Sequence, residues 1–123
     1  MSSSRLKTSK LSDDLLFKIN RKFRLQPNYI ERLAIGRSLL EGQLSEKDMN
    51  IDRNGKEFNQ YTLTGEKDFL YKALVAQVAN CPLSDEEYFS KHLPAHIDRG
   101  LRLMGKEILD AGTQTEVIRR LIT

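Results

Sequence analysis

Lys18, Arg21 and Lys22 follow one another at spacings of three and four residues, and Arg24 comes two positions later. On a helix those spacings put the first three side chains on a common face, which Arg24 extends. Like charges crowded in this way repel one another by a few tenths of a kcal/mol per pair. A bound phosphate backbone would turn that penalty into attraction, so the chemistry offered is polyanion binding. The plain alternative is a solvated basic face that keeps the chain soluble. Just beyond, Pro27-Asn28 opens a second helical pattern whose first backbone N–H groups are free to donate to a phosphate oxygen, a property shared by every helix N-terminus.

Other residue types that carry chemistry are sparse. His92 and His96 lie four apart and would grip one metal ion on a continuous helix, but Pro94 stands between them. The glutamate of a metalloprotease motif and a third ligand are both missing, so they read as ordinary helix-surface histidines. Cys81 is the single cysteine and has no CxxC partner. It reads as a buried structural thiol, since a nucleophile or persulfide role would need a base from elsewhere in the fold. There is no P-loop, dinucleotide glycine pattern or nucleophile elbow, so we expect no cofactor and no catalytic machinery.

Charge is unevenly distributed. The 123 residues carry a net +3, yet residues 1–40 hold nine basic and three acidic side chains, and the remainder eleven basic and fourteen acidic. A basic end joined to an ordinary body fits a polyanion partner. The lone cysteine, the absence of an apolar leader and the lack of a run near the ~20 apolar residues of a membrane span lead us to expect a cytoplasmic chain without membrane association.

The elements that must position these groups follow from periodicity. Arg5-Leu6-Lys7-Thr8-Ser9 alternates like a short strand or an extended arm, and as a strand would place Arg5, Lys7 and Ser9 on one face. Ser12 suits an N-cap, followed by Leu15, Ile19 and Phe23 in register with Leu11, which predicts a helix over 12–23. Pro27 fits the first position of a second helix with Ile30, Leu33, Ala34 and Leu40 on its apolar side and Gly42 as terminator. Gly36 within it either admits a close backbone or is simply tolerated.

Residues 43–63 have no sustained period and read as a hairpin or folded loop. Thr64 is placed to cap a third, strongly apolar helix through Phe69, Leu74, Val78 and Ala79, expected to be central. Ser84-Asp85-Glu86-Glu87 has both residues of a capping box, and Pro94 should kink or restart the helix that follows. Ile97, Leu101, Met104 and Ile108 then step like an a/d seam, which needs a partner. Thr115 to Thr123 would add a short last helix. These readings predict one domain spanning 1–123, with a basic element at 5–42, an irregular connection at 43–63 and a helical body at 64–123.

Three segments together resemble the DndE family of bacterial DNA phosphorothioation systems. Glu57-Phe58-Asn59-Gln60-Tyr61-Thr62-Leu63-Thr64-Gly65-Glu66-Lys67-Asp68 is similar to its central signature. Phe23-Arg24-Leu25-Gln26-Pro27-Asn28-Tyr29-Ile30 resembles its helix–turn–helix junction, and His96-Ile97-Asp98-Arg99-Gly100 its late helical motif. The resemblance implies a mainly α, compact helical domain with a ribbon-helix-helix-like element. It also implies a homo-oligomer, a tetramer, that binds double-stranded DNA with a preference for nicked duplex. Implied partners are other Dnd subunits, among them a sulfurtransferase-like enzyme and an ATPase, which exchange a non-bridging phosphate oxygen for sulfur.

The ribbon-helix-helix plan pairs two strands in a ribbon that enters the major groove, and so demands a dimer. Residues and resemblance converge on Arg5, Lys7, Lys10, Lys18, Arg21, Lys22, Arg24 and Asn28 as the DNA surface. The Tyr61 signature reads as a folded connection, although Phe58 and Tyr61 are aromatics that can stack on an exposed base. The competing function is an assembly adaptor whose basic face docks on an acidic protein.

Overall fold

The computed structural model of the chain describes residues 5–109. The short helix expected over 115–123 lies outside them. Strand β1 (Arg5–Lys7) pairs antiparallel with β2 (Glu57–Asn59), Leu6 facing Phe58, and both of these side chains are buried. The expected strand therefore forms, but its ribbon is completed within the chain, so this pairing needs no second subunit. Thr8 continues the attachment by accepting the Gly55 N–H and donating its own to the Lys56 carbonyl. Gly55 is required there, since a Cβ would run into the Ser9 and Thr8 carbonyls.

Helix α1 (Lys10–Phe23) begins two residues earlier than its apolar pattern predicts, because Ser9 rather than Ser12 is the N-cap. Ser9 Oγ accepts the Ser12 N–H and itself donates to Asp98. Ser12 is drawn inward to the same carboxylate, 3.1 Å away. This polar anchor rotates the inner face to Ser12, Leu16 and Ile19, while Leu11 turns to solvent. Ser9, sequestered under the cap, does not share an open face with Lys7. Arg24 takes a left-handed conformation (φ 58°) as C-cap, and Asn20 Nδ2 donates to the Leu25 carbonyl to close the turn.

Helix α2 (Pro27–Leu39) starts on its proline as expected, and Gly42 follows its end with φ 89°. Ile30, Ala34 and Ile35 fill its buried side, whereas Leu33 and Leu40 are exposed. The close approach sits elsewhere than Gly36, around which a Cβ would meet nothing within 4 Å. It lies at Gly100 of the late helix.

The 43–63 connection is folded rather than loose. It contains α3 (Glu46–Met49) with a full Ser45–Asp48 capping box, then β2, then α4 (Gln60–Leu63). A 3-10 turn over Gly65–Lys67 leads into α5 (Asp68–Ala79). Thr64 does not cap by accepting a backbone N–H; its hydroxyl donates to Asp68, which also accepts from Tyr88. The expectation that α5 is central is overturned, for Val75 alone among its residues is fully buried and Phe69, Leu70 and Leu74 are exposed.

The central element is instead α7 (Leu93–Met104). It continues α6 (Asp85–Glu87), whose Ser84–Glu87 capping box forms as predicted, through a wide π turn at Tyr88–His92. Pro94 stands in the first turn of α7, so the α-helix restarts there after the π turn, in line with the expected restart. Ile97, Leu101, Met104 and Ile108 are all buried inside the chain, chiefly against α1 and α2. The seam's partner is internal. Every residue from Leu93 to Leu101 is buried, polar ones included.

Those polar residues are satisfied by design of the packing. Arg99 donates to the Ser38, Gly42 and Gln43 carbonyls and so closes the C-terminus of α2, where helical carbonyls lack intrahelical partners. Its Nε also donates to Ser38 Oγ, which is hydrogen-bonded to His96 Nδ1 at 2.8 Å.

Candidate nucleic-acid interface

The outward side of α1 carries Lys18, Arg21 and Lys22, all exposed, and Arg24 follows at the cap. Among the described residues none of these four makes an ion pair with a carboxylate. Arg21 and Lys22 lie over the rings of Phe17 and Phe23, at 5.5 and 5.7 Å from the centroids, so local aromatics rather than acids support them. The inward anchors at Ser12, Leu16 and Ile19 hold the helix so that this face cannot rotate away from solvent. Placement of Arg21 and Lys22 in the last turn also favours the helix itself, through the macrodipole.

Two concavities organise the cations. A groove of about 900 Å³ runs between α1 and the end of α7 with its following π turn, Gly105–Leu109. Lys18, Arg21 and Lys22 form one wall and Arg102 and Lys106 the other. Its apolar lining is made by Leu11, Leu15, Phe17, Leu103 and Leu109. A second concavity of about 460 Å³ lies at the α1–α2 turn, lined by Asn20, Arg21, Arg24, Leu25 and Gln26. Arg21 belongs to both.

The remaining predicted residues fall outside these concavities. Lys7 and Lys10 are exposed near the ribbon, where the Lys10 N–H donates to Asp52. Arg5 lies in β1. Asn28 is half-buried at the second position of α2. Between the two cationic regions stand Asp13 and Asp14, with Asp13 accepting the Lys56 N–H. The basic N-terminal element therefore divides into a ribbon part and a helical part.

Sequence reasoning missed Arg102, Lys106 and Phe17. The spacing of four between Arg102 and Lys106 was visible, but nothing local shows that they face α1. Arg102 is held by Asp98 and Asp48, at 3.0 and 3.2 Å, so it shapes the wall more than it adds net charge. Phe17 is 59% exposed although it interrupts a helical apolar row. Phe58, by contrast, is buried against Leu6 and presents no face to a base.

Other candidate residues resolve as follows. Cys81 is exposed, not buried as its solitary position in the sequence predicted, because the turn after α5 carries it to the surface. With Gln43, Met49, His92 and His96 it borders a small hollow of about 160 Å³. Burial, and next the neighbouring Arg99 charge, push the His96 pKa down to about 4. Glu31, fully buried in α2 with neither carboxylate oxygen hydrogen-bonded, is pushed up to about 8 by burial and then by Asp13, with Lys56 opposing.

Fold and surface together define a small helical protein organised around one buried helix, with a cationic, partly apolar-lined groove on the outside. The chain belongs to the DndE family of DNA sulphur modification proteins, whose family model matches residues 5–109. Its fold is similar to that of a crystal structure of DndE from Escherichia coli B7A involved in DNA phosphorothioation modification. The TM-score is 0.69 at 22% identity, over 85% of this chain and 98% of that one. A DndE mutant involved in DNA phosphorothioation is similar too, with a TM-score of 0.68 at 24% identity, over 85% and 99% of the two chains. No curated protein matches the sequence. Among the described residues no helix is long and apolar enough to cross a membrane.

Proposed function

We propose that this chain is a DNA-binding subunit, without catalytic machinery of its own, of a bacterial DNA phosphorothioation system. It grips double-stranded DNA, nicked duplex in preference, through the basic surface of its N-terminal element, and works beside other Dnd subunits. The observation that carries this reading is the exposed, acid-free row of Lys18, Arg21, Lys22 and Arg24 on a helix whose opposite side is locked into the core. Such an arrangement places positive charge where phosphates can reach it and, among the described residues, pairs it with no carboxylate. Lys7, Lys10, Arg5 and Asn28 would give secondary contacts along the ribbon and the α2 start. The test is binding of labelled intact, nicked and single-stranded DNA at two salt concentrations; loss of affinity for nicked duplex with rising salt is expected, and absence of binding at low salt would defeat the reading.

A protein-contact role beside DNA binding is favoured by α5. Phe69, Leu70 and Leu74 present an apolar face to solvent, of the kind that marks protein contact. In our reading this face joins copies of the chain into an oligomer, a tetramer by family resemblance, while α1 stays open to DNA.

A further inference from the structure

We propose that the groove between α1 and the Gly105–Leu109 turn receives an unpaired nucleotide of a DNA strand, its base lying on Phe17 and its flanking phosphates on Lys18, Arg21 and Lys22. The proposal rests on the DNA-binding reading and adds a ligand state to it. Cations alone suffice for a duplex, whose bases are stacked away and whose accessible edge is phosphate and sugar. An apolar lining gains nothing from phosphates. It gains from a base whose face is free, as single-strand binding surfaces do by combining a charged groove with aromatic platforms.

The groove has both parts. Phe17 is exposed within it, with Leu15 also in the lining, and the Arg21 guanidinium stands 5.5 Å from the ring centroid. Among the described residues no carboxylate side chain lines it. The cations also continue past its end, since Arg21 belongs equally to the turn concavity that holds Arg24. A chain of phosphates entering and leaving the groove would meet positive charge on both sides of the bound base. That continuity favours a polymeric anion over a short acidic helix, which would need cations at the groove alone.

The experiment is fluorescence anisotropy on the full chain with three probes: an intact duplex, the same duplex carrying a short single-stranded gap, and oligothymidine. Phe17→Ala keeps every charge and removes the exposed ring together with its contact to the Arg21 guanidinium. It should weaken the gapped duplex and oligothymidine about tenfold, leave the intact duplex unchanged, and be rescued by Phe17→Trp. Equal effects of Phe17→Ala on all three probes, or none on any, would overturn the proposal while leaving DNA binding standing. If the unaltered chain binds none of the probes, the DNA-binding reading has itself failed and this inference falls with it. Binding of an acidic amphipathic peptide instead of DNA, lost in Phe17→Ala, would overturn it in favour of a protein partner.

Discussion

Gly100 of α7 lies against the Ala34 carbonyl of α2 so closely that a Cβ at position 100 would overlap the oxygen and its carbon. The two helices that carry most of the core are therefore in backbone contact, and the depth of that contact sets where α1 and its cations stand.

Gly100→Ala should destabilise the protein by about 1–3 kcal/mol or more, because backbone cannot yield as a side chain does. Gly36→Ala, in open space on α2, should instead stabilise it by roughly 0.5–1 kcal/mol through helix propensity. Urea denaturation of both variants checks the pair. Equal effects would show that the close contact is absent.

Stability should depend on pH through two buried groups of opposite sign. Glu31 has its pKa raised to about 8 from an ordinary 4.5, so the folded state holds the proton longer and stability falls as pH rises between those values. His96 is lowered to about 4 from 6.5, so the folded state resists protonation and stability is lost as pH falls through that window. The two slopes oppose each other from pH 4.5 to 6.5, and above 6.5 only the decline from Glu31 remains. Glu31→Gln should abolish that decline and be more stable than the unaltered chain at pH 8.5, by an amount on the order of a few kcal/mol. Thermal melts between pH 6 and 9 decide it; an unchanged slope in the variant would sink the assignment.

Lys18→Glu with Lys22→Glu should weaken every duplex about equally and flatten the slope of log affinity against log salt by about two units. Both side chains are exposed and outside the Leu16 and Ile19 core row, so circular dichroism should stay the same. A folded double variant with unaltered affinity and slope would move the DNA surface elsewhere and favour the adaptor.

The α5 face should govern self-association. Phe69 is 73% exposed, so Phe69→Glu costs the fold little. Combined with Leu74→Glu it should convert an oligomer at micromolar concentration into monomer by light scattering. An unaltered chain that is monomeric would refute the oligomer, and a variant that stays oligomeric would relocate its interface.

Much of the local architecture was legible in the residues. Pro27 marked the start of α2, Gly42 its end, and Ser84-Asp85-Glu86-Glu87 the capping box of α6, since these act through their own backbone neighbours. The same locality made the Lys18, Arg21 and Lys22 row readable, as helical spacing alone aligns it. Family membership was readable as well, from three short segments in order along the chain.

Burial was not readable in the same way, because it depends on what comes from far along the chain. The most apolar helix, α5, lies outside, whereas α7 with its histidine, aspartate and arginine lies at the centre. Its polar groups are admitted because Ser9, Ser12, Ser38 and the α2 carbonyls meet them there. One such bond, from Ser9 to Asp98, turned the inner face of α1 away from Leu11. The groove follows from the same cause: Phe17, Lys18 and Lys106 become neighbours only once Gly100 lets α7 settle against α2 and bring its end beside α1. Sequence thus determined the helices, their ends and the charge on α1. Tertiary packing decided which faces are buried, because hydrogen bonds and backbone contacts between distant residues outweigh the hydrophobic pattern of any one helix.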